Sequence, residues 1–278
     1  MGVQLTASDD SVRSDCSEHP LPTGPFQIKD FARWLTEGES IMSSSDKHLQ
    51  ANLTSLSERI SAAVRRAGRP AGSVTVVAVS KTFAAEAVLA LARGGQRDFG
   101  ENYLQEALAK MDQVRAAAPD LPLAWHFIGP IQSNKTRPIA ERFDWVQSVE
   151  RLKIAERLSA QRPAQLPPLN VLLQVNVSGE ASKSGVAPGE VPALARAVAA
   201  LPRLRLRGLM AIPEPTDEPA RQRLPLAAMR QLFDAQRAAG FADWDTLSMG
   251  MSADLEAAIE LGATMVRVGT ALFGERTK

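Results

Sequence analysis

The sequence predicts an α/β chain folded as a single (β/α)8 TIM barrel with a leading helix. Three observations carry that expectation. Eight short apolar runs alternate with amphipathic helical stretches. No break in composition follows Asp46. The runs also end in polar residues, among them Lys81, Asn102, Ser248 and Thr270, and strand ends are where such barrels gather their chemistry.

The leading helix is expected over 46–67, where Leu49, Leu53, Leu56, Ile60 and Val64 recur at helical spacing along one face. It would cover the bottom or the seam of the barrel in place of a terminal helix. The strands fall at 74–80, 97–102, 124–129, 144–149, 170–177, 205–212, 245–251 and 265–273. Helical patterns between them include 84–92, 103–117, 151–160, 191–201, 225–239 and 252–261.

Upstream, residues 1–45 carry Ser, Asp, Pro and Gly with little periodicity and are expected to be a mobile extension; 46–278 form the barrel. Met42 runs directly into the first helix and is a candidate translation start, a reading that intact-mass measurement from the natural host would overturn by finding the earlier residues. This segment holds Asp9, Asp10, Asp15 and Glu18 and no apolar core, so it is not a secretory signal.

The charge balance excludes other classes. With 32 basic and 31 acidic residues the net charge is +1, which leaves no electrostatic footprint for a nucleic acid or a membrane surface. No apolar stretch reaches the roughly 18 residues of a membrane span. The single cysteine, Cys16, forms no intramolecular disulfide and points to a reducing cytoplasm. His19, His48 and His126 are too scattered to suggest a metal cluster.

Lys81 is the residue on which function turns. It follows Val74-Thr75-Val76-Val77-Ala78-Val79-Ser80, a run that reads as a buried strand, so its amine arrives at the mouth of a core. Desolvation there disfavours the ammonium and makes the amine a candidate Schiff-base nucleophile. An isolated strand-end lysine more often only reaches into water, so a second signal is needed. That signal lies in Leu247 to Asp254 and Val266 to Thr270, two strand-like runs ending in Gly, Ser and Thr. Ser252 reads as the N-cap of the helix at 252–261, and a Gly269-Thr270 turn lies beside it. Alone, Ser252 could simply cap and Gly269 simply turn; with Lys81 they describe a site for a phosphate-bearing aldehyde.

Several segments also carry a resemblance. Ala78-Val79-Ser80-Lys81-Thr82, Phe99-Gly100-Glu101-Asn102-Tyr103, His126-Phe127-Ile128-Gly129-Pro130, Ser182-Lys183-Ser184-Gly185, Ser248-Met249-Gly250-Met251-Ser252 and Arg267-Val268-Gly269-Thr270, in this order, resemble the pyridoxal phosphate homeostasis protein family over roughly Leu49 to Arg276. The resemblance implies a barrel like the N-terminal domain of alanine racemase without that enzyme's β-domain, and pyridoxal 5'-phosphate held as a reversible internal aldimine on Lys81. Carried onto these positions, it implies that Ser252, Gly269 and Thr270 bind the phosphate, Ser248 and Met251 line the pocket, Arg267 faces the pyridine nitrogen and Asn102 approaches the ring. Asn102 could equally cap a helix. Lys183 and Lys135 could each neutralise an anion or stand in solvent, and His126 reads as a satisfied core histidine before a general base.

Three functions compete. The first is a cytoplasmic carrier that buffers and delivers pyridoxal phosphate to apoenzymes as a monomer, with little or no turnover of its own. The second is a racemase or decarboxylase using the same cofactor; the third is a cofactor-free Schiff-base aldolase. Two-base racemisation needs a second acid/base opposite the lysine, and the chain has one tyrosine, Tyr103, and no added domain to supply another. That omission favours the carrier.

Overall fold

The computed structural model describes residues 43–179, 184–214, 216 and 218–274, all within the unit Ser43–Lys278. The expected extension at 1–45, apart from its last three residues, lies outside the described residues, with the Met42 start and Cys16.

Eight parallel strands close a barrel in chain order. They are β1 (Thr75–Val79), β2 (Asp98–Glu101), β3 (Ala124–Phe127), β4 (Trp145–Val149), β5 (Leu169–Gln174), β6 (Leu204–Met210), β7 (Thr246–Ser248) and β8 (Met265–Val268). Closure is made between β1 and β8, with Thr75 opposite Met265 and Val77 opposite Arg267. The helices are α1 (Ser44–Arg66), α2 (Ala85–Arg93), α3 (Leu104–Ala117), α4 (Thr136–Arg142), α5 (Leu152–Gln161), α6 (Val191–Ala199), α7 (Pro219–Ala238), α8 (Leu255–Glu260) and α9 (Thr270–Phe273).

Both faces of the sheet are covered, which is why the strand sequences are nearly continuous apolar runs. Alternate residues such as Ala78, Phe99, Phe127 and Val266 point outward and pack with Leu91, Met111 and Leu158 of the helices into one apolar layer. Their neighbours Val77, Leu172, Met210 and Met265 are buried too but stand apart from that layer, inside the barrel. On this alternation Val77, Val79 and Lys81 face inward, and Lys81 emerges at the mouth.

Of the two places expected for the leading helix, α1 takes the seam. Ser43 caps it, its side chain accepting from the Asp46 N–H at 3.1 Å. Its stripe of Leu49, Leu56, Ile60 and Val64 is buried. Polar contacts fix it on both sides of the β8/β1 closure: Asn52 Nδ2 donates to the Leu272 carbonyl of α9 at 2.8 Å, Gln50 Nε2 donates to Ala90 of α2 at 2.5 Å, and Arg59 pairs with Glu256 of α8 at 2.8 Å.

Several boundaries differ from expectation, and β5, β6 and β7 stop two or three residues short, at Gln174, Met210 and Ser248. The eighth strand ends at Val268, and Thr270–Phe273 forms α9 instead. Phe273 thereby stacks on Phe83 with centroids 4.5 Å apart, so the apolar run is buried by a helical turn rather than by more strand. Ser252 is not the cap of the following helix: α8 starts at Leu255, and the Asp254 carboxylate closes the preceding turn by accepting from the Met251 N–H at 2.6 Å. In α7 the helix begins at Pro219 and passes through Pro225; the missing N–H leaves one carbonyl, on exposed Arg221, that water can satisfy. Finally, α4 is seven residues long, too short for a periodic stripe to announce it.

Gly250 is required where β7 turns toward α8. Its φ is +94°, and a Cβ there would lie 2.5 Å from the Ala258 methyl.

Candidate functional site

The strand ends converge on one mouth. On β1 the ladder continues one residue past the strand, the Ser80 N–H donating to the Gly100 carbonyl at 3.0 Å. The chain then reverses, because the Phe83 N–H returns to the Ser80 carbonyl at 3.1 Å. Lys81 sits half-buried inside this turn, followed by Thr82 at a φ of +69°, a left-handed conformation that costs a β-branched residue about 1 kcal/mol or more. Next to it, Asn102 follows the end of β2, and its Oδ1 is buried without a hydrogen-bond partner. Gly129, beyond β3, lies so close to Asn102 that a Cβ there would come within 2.7 Å of the Asn102 Cα.

On the neighbouring strand β8, paired with β1, Arg267 is 3% exposed. Its Nη1 donates to Ser248 Oγ at 2.6 Å and its Nη2 to the Ala211 carbonyl at 2.8 Å. Burial pushes the guanidinium down to about 10, against the opposing pull of Asp254, so it stays a cation at neutral pH. From Ser248 a chain of hydrogen bonds crosses the barrel interior: to Gln147 Oε1 at 2.7 Å, from Gln147 Nε2 to His126 Nδ1 at 2.9 Å, and from His126 Nε2 to Asp98 Oδ1 at 2.9 Å. With the Gln147 amide oriented so that its oxygen faces Ser248, the hydrogens run in one direction along the links. Arginine can only donate, so Ser248 accepts from it and donates to Gln147, whose amide then donates to His126 Nδ1. The ring proton is left on Nε2, facing the Asp98 carboxylate. His126, fully buried and stacked on Trp145 at 5.3 Å, has both nitrogens engaged.

The third part of the mouth joins the turn after β7 to α9. Ser252 Oγ accepts from the Ala271 N–H at 3.3 Å. Gly269 and Thr270 head α9, and the first N–H groups of a helix have no partner within it. Ser252 therefore serves a different helix from the one expected, at the place where an anion would meet α9. Half-buried Met251 precedes it.

Every residue expected at the site thus lies at the C-terminal side of the barrel: Lys81, Asn102, Ser248, Met251, Ser252, Arg267, Gly269 and Thr270. One direct hydrogen bond joins Arg267 to Ser248. Lys135 is half-buried in a turn at Ser133–Lys135, and Lys183 lies outside the described residues. A cavity of about 440 Å3 opens between the loops after β5 and β6 and the start of α7, beside Val177, Glu214, Arg221 and Leu224, and none of the eight residues lines it. Among the described residues no group of three or more His, Cys, Asp or Glu could hold a metal.

Sequence reasoning missed the supports of the site. Gln147 and Asp98 were not singled out, although Gln147 stands as a polar residue inside the apolar run of β4. Nor were Glu106 and Lys110, whose four-residue spacing reads as an ordinary surface pair until Lys110 is found buried.

The arrangement suits a phosphorylated aldehyde: an amine at the mouth, an orphaned amide oxygen beside it, a fixed cation on the adjacent strand, and a hydroxyl with a helix start at one side. Comparison with known proteins bears on this geometry. The family model described as "Alanine racemase, N-terminal domain" matches residues 51–277. The pyridoxal phosphate homeostasis protein of Pseudomonas aeruginosa is 64% identical over 225 residues, covering 81% of this chain and 94% of that protein. Its counterpart in Escherichia coli K12 is 52% identical, covering 81% and 95%. Among solved structures, PipY of Synechococcus elongatus with PLP bound superposes with a TM-score of 0.69 at 34% identity, over 81% of this chain and 100% of that one. Alanine racemase of Corynebacterium glutamicum, at 18% identity and a TM-score of 0.64 over 83% of this chain and 62% of that one, shares the fold.

Proposed function

The chain belongs to the pyridoxal phosphate homeostasis protein family, and we propose that it binds pyridoxal 5'-phosphate on Lys81, holding and releasing it for intracellular vitamin B6 homeostasis. The observation that carries this reading is the half-buried Lys81 at the inward tip of β1, on the strand paired with the one that bears Arg267. The residues present fit the cofactor. Lys81 would bind its aldehyde, Ser252 and the start of α9 its phosphate, and the partnerless Asn102 Oδ1 leaves a polar position open toward the ring. When bound, the cofactor supplies an electrophilic carbon and an electron-withdrawing ring. Arg267 would face the ring nitrogen as a cation at neutral pH and keep it unprotonated, which weakens the ring as an electron sink. Ser248 orients Arg267 and is itself held by Gln147.

Holding without turnover is supported by the scarcity of a second acid/base. The only tyrosine, Tyr103, is 53% exposed at the start of α3, and His126 is tied on both nitrogens. We take the working form to be a cytoplasmic monomer that delivers the cofactor to apoenzymes; among the described residues no helix is long and apolar enough to cross a membrane. The test is the visible spectrum of the purified protein with added pyridoxal phosphate, before and after borohydride, with the labelled peptide mapped by mass spectrometry. A reducible band that leaves pyridoxyl mass on Lys81, and is lost in Lys81→Ala, is expected. An unchanged band in Lys81→Ala would refute the assigned nucleophile.

A further inference from the structure

Helix α3, which contributes no residue to the mouth, holds the turn that carries Lys81. Lys110 is 4% exposed and lies behind β1 and β2. Its three N–H groups match three acceptors: the Ser80 carbonyl at 2.6 Å, Glu101 Oε1 at 2.6 Å and Glu106 Oε1 at 3.0 Å. Glu106 Oε1 also accepts from the Thr82 N–H at 2.5 Å. The Ser80 carbonyl belongs to the peptide group before Lys81, and the Thr82 N–H to the one after it. One ion pair on one helix, Glu106 and Lys110 at four-residue spacing, therefore grips both peptide groups that flank Lys81. Buried Glu101 completes the arrangement, its Oε1 accepting from Ser80 Oγ at 2.7 Å.

We infer that Glu106 and Lys110 are positioning residues for Lys81, fixing where its amine meets an aldehyde; this rests on the function proposed above. Two features separate the arrangement from ordinary helix packing. Two of the bonds end on the backbone of the Lys81 turn itself, one on each side of Lys81. They also hold Thr82 at a φ of +69°, which a β-branched residue keeps only when its surroundings impose it. Without the grip the turn is free to relax and the amine moves, and a displacement of about 1 Å at a reacting group can cost up to about a hundredfold in rate.

The full chain is compared with Glu106→Ala, which removes the acceptor for Thr82, and Glu106→Gln, which keeps an oxygen there. In the reaction the Lys81 amine condenses with an aldehyde carbon, water leaves, and cyanoborohydride adds hydride to that carbon while water supplies the proton to nitrogen. With pyridoxal phosphate as the aldehyde, trapping at Lys81 is expected to slow about tenfold in Glu106→Ala and to stay within about twofold of the parent in Glu106→Gln. With formaldehyde, methylation of Lys81 is measured against exposed Lys153 in the same molecule; this ratio should depart from the parent in Glu106→Ala and return in Glu106→Gln. Exchange of the Thr82 amide should accelerate in Glu106→Ala alone. Parent-like rates at Lys81 in Glu106→Ala, or equal impairment of both variants, would overturn the inference. Failure of the parent to capture pyridoxal phosphate sinks the proposed function instead, and the formaldehyde ratio still decides the role of Glu106.

Discussion

The two walls of the mouth are supported in opposite ways. Lys81 is braced from outside the barrel by a charged cluster, with Lys110 between Glu101 and Glu106. Arg267 is braced from inside by an uncharged relay of Ser248, Gln147 and His126 that reaches a carboxylate only at the far end of the barrel. The difference follows from burial. At the level of the helices Glu106 remains 34% exposed, so part of the charge is solvated. In the interior nothing reaches water until Asp98, 26% exposed, and neutral dipoles passing hydrogen bonds in one direction avoid the cost of a second buried ion. One wall therefore holds a carboxyl, Glu101, that burial pushes above its ordinary value, while the other holds Arg267, which burial lowers to about 10.

The largest effect that would sharpen this contrast is expected on the charged wall. Lys110→Met leaves fully buried Glu101 without its ammonium partner and should cost about 3–5 kcal/mol in urea unfolding at neutral pH. The loss should shrink as pH falls, because Glu101 can take a proton, and Lys110→Met with Glu101→Gln should recover most of it. A loss independent of pH would show that Glu101 carries no charge there.

On the neutral wall, Gln147→Leu strands the Ser248 hydroxyl and His126 Nδ1 together and should cost about 2 kcal/mol in urea unfolding at neutral pH. A loss well below that would mean that the relay contributes little to stability.

A third comparison uses pH alone. Burial pushes the Glu101 carboxyl above its ordinary value, against the opposing hydrogen bonds of Lys110 and Ser80. A carboxyl raised in the folded state contributes stability that is complete below its ordinary value and is lost as pH rises through the raised one. Stability measured across that window should thus be flatter with pH in Glu101→Gln than in the parent. The smallest effect concerns the α1 seam. Arg59→Ala breaks a pair with Glu256 whose partners are 39% and 35% exposed, and should cost only about 0.5 kcal/mol. Arg59 holds Glu256 below its usual range, so what the pair contributes should vanish as pH falls through that lowered value.

Legibility differs sharply between the residues of the site and those behind them. Lys81 could be found because a charged residue at the end of a β-branched run is a local contrast, and Ser252, Gly269 and Thr270 because turn chemistry is local. The part Ser252 plays could not be found, since its bond to the Ala271 N–H joins residues 19 apart across the β7 to β8 crossover. Lys110 was hidden for the same reason. Nothing near it in the chain says that α3 buries this lysine against Ser80, 30 residues earlier.

By itself the sequence determined the alternation of strands and helices, the barrel, the seam helix as an element, and the side of the barrel on which the polar strand ends gather. These follow from periodicity and residue type, which act over a few neighbours. Tertiary structure alone decided which helix Ser252 serves, that α1 covers the β8/β1 closure, which buried groups pair across the barrel, and how Lys81 is gripped. Those outcomes depend on burial and on hydrogen bonds between distant segments, and a buried polar group finds its partner only when the whole sheet has closed around it.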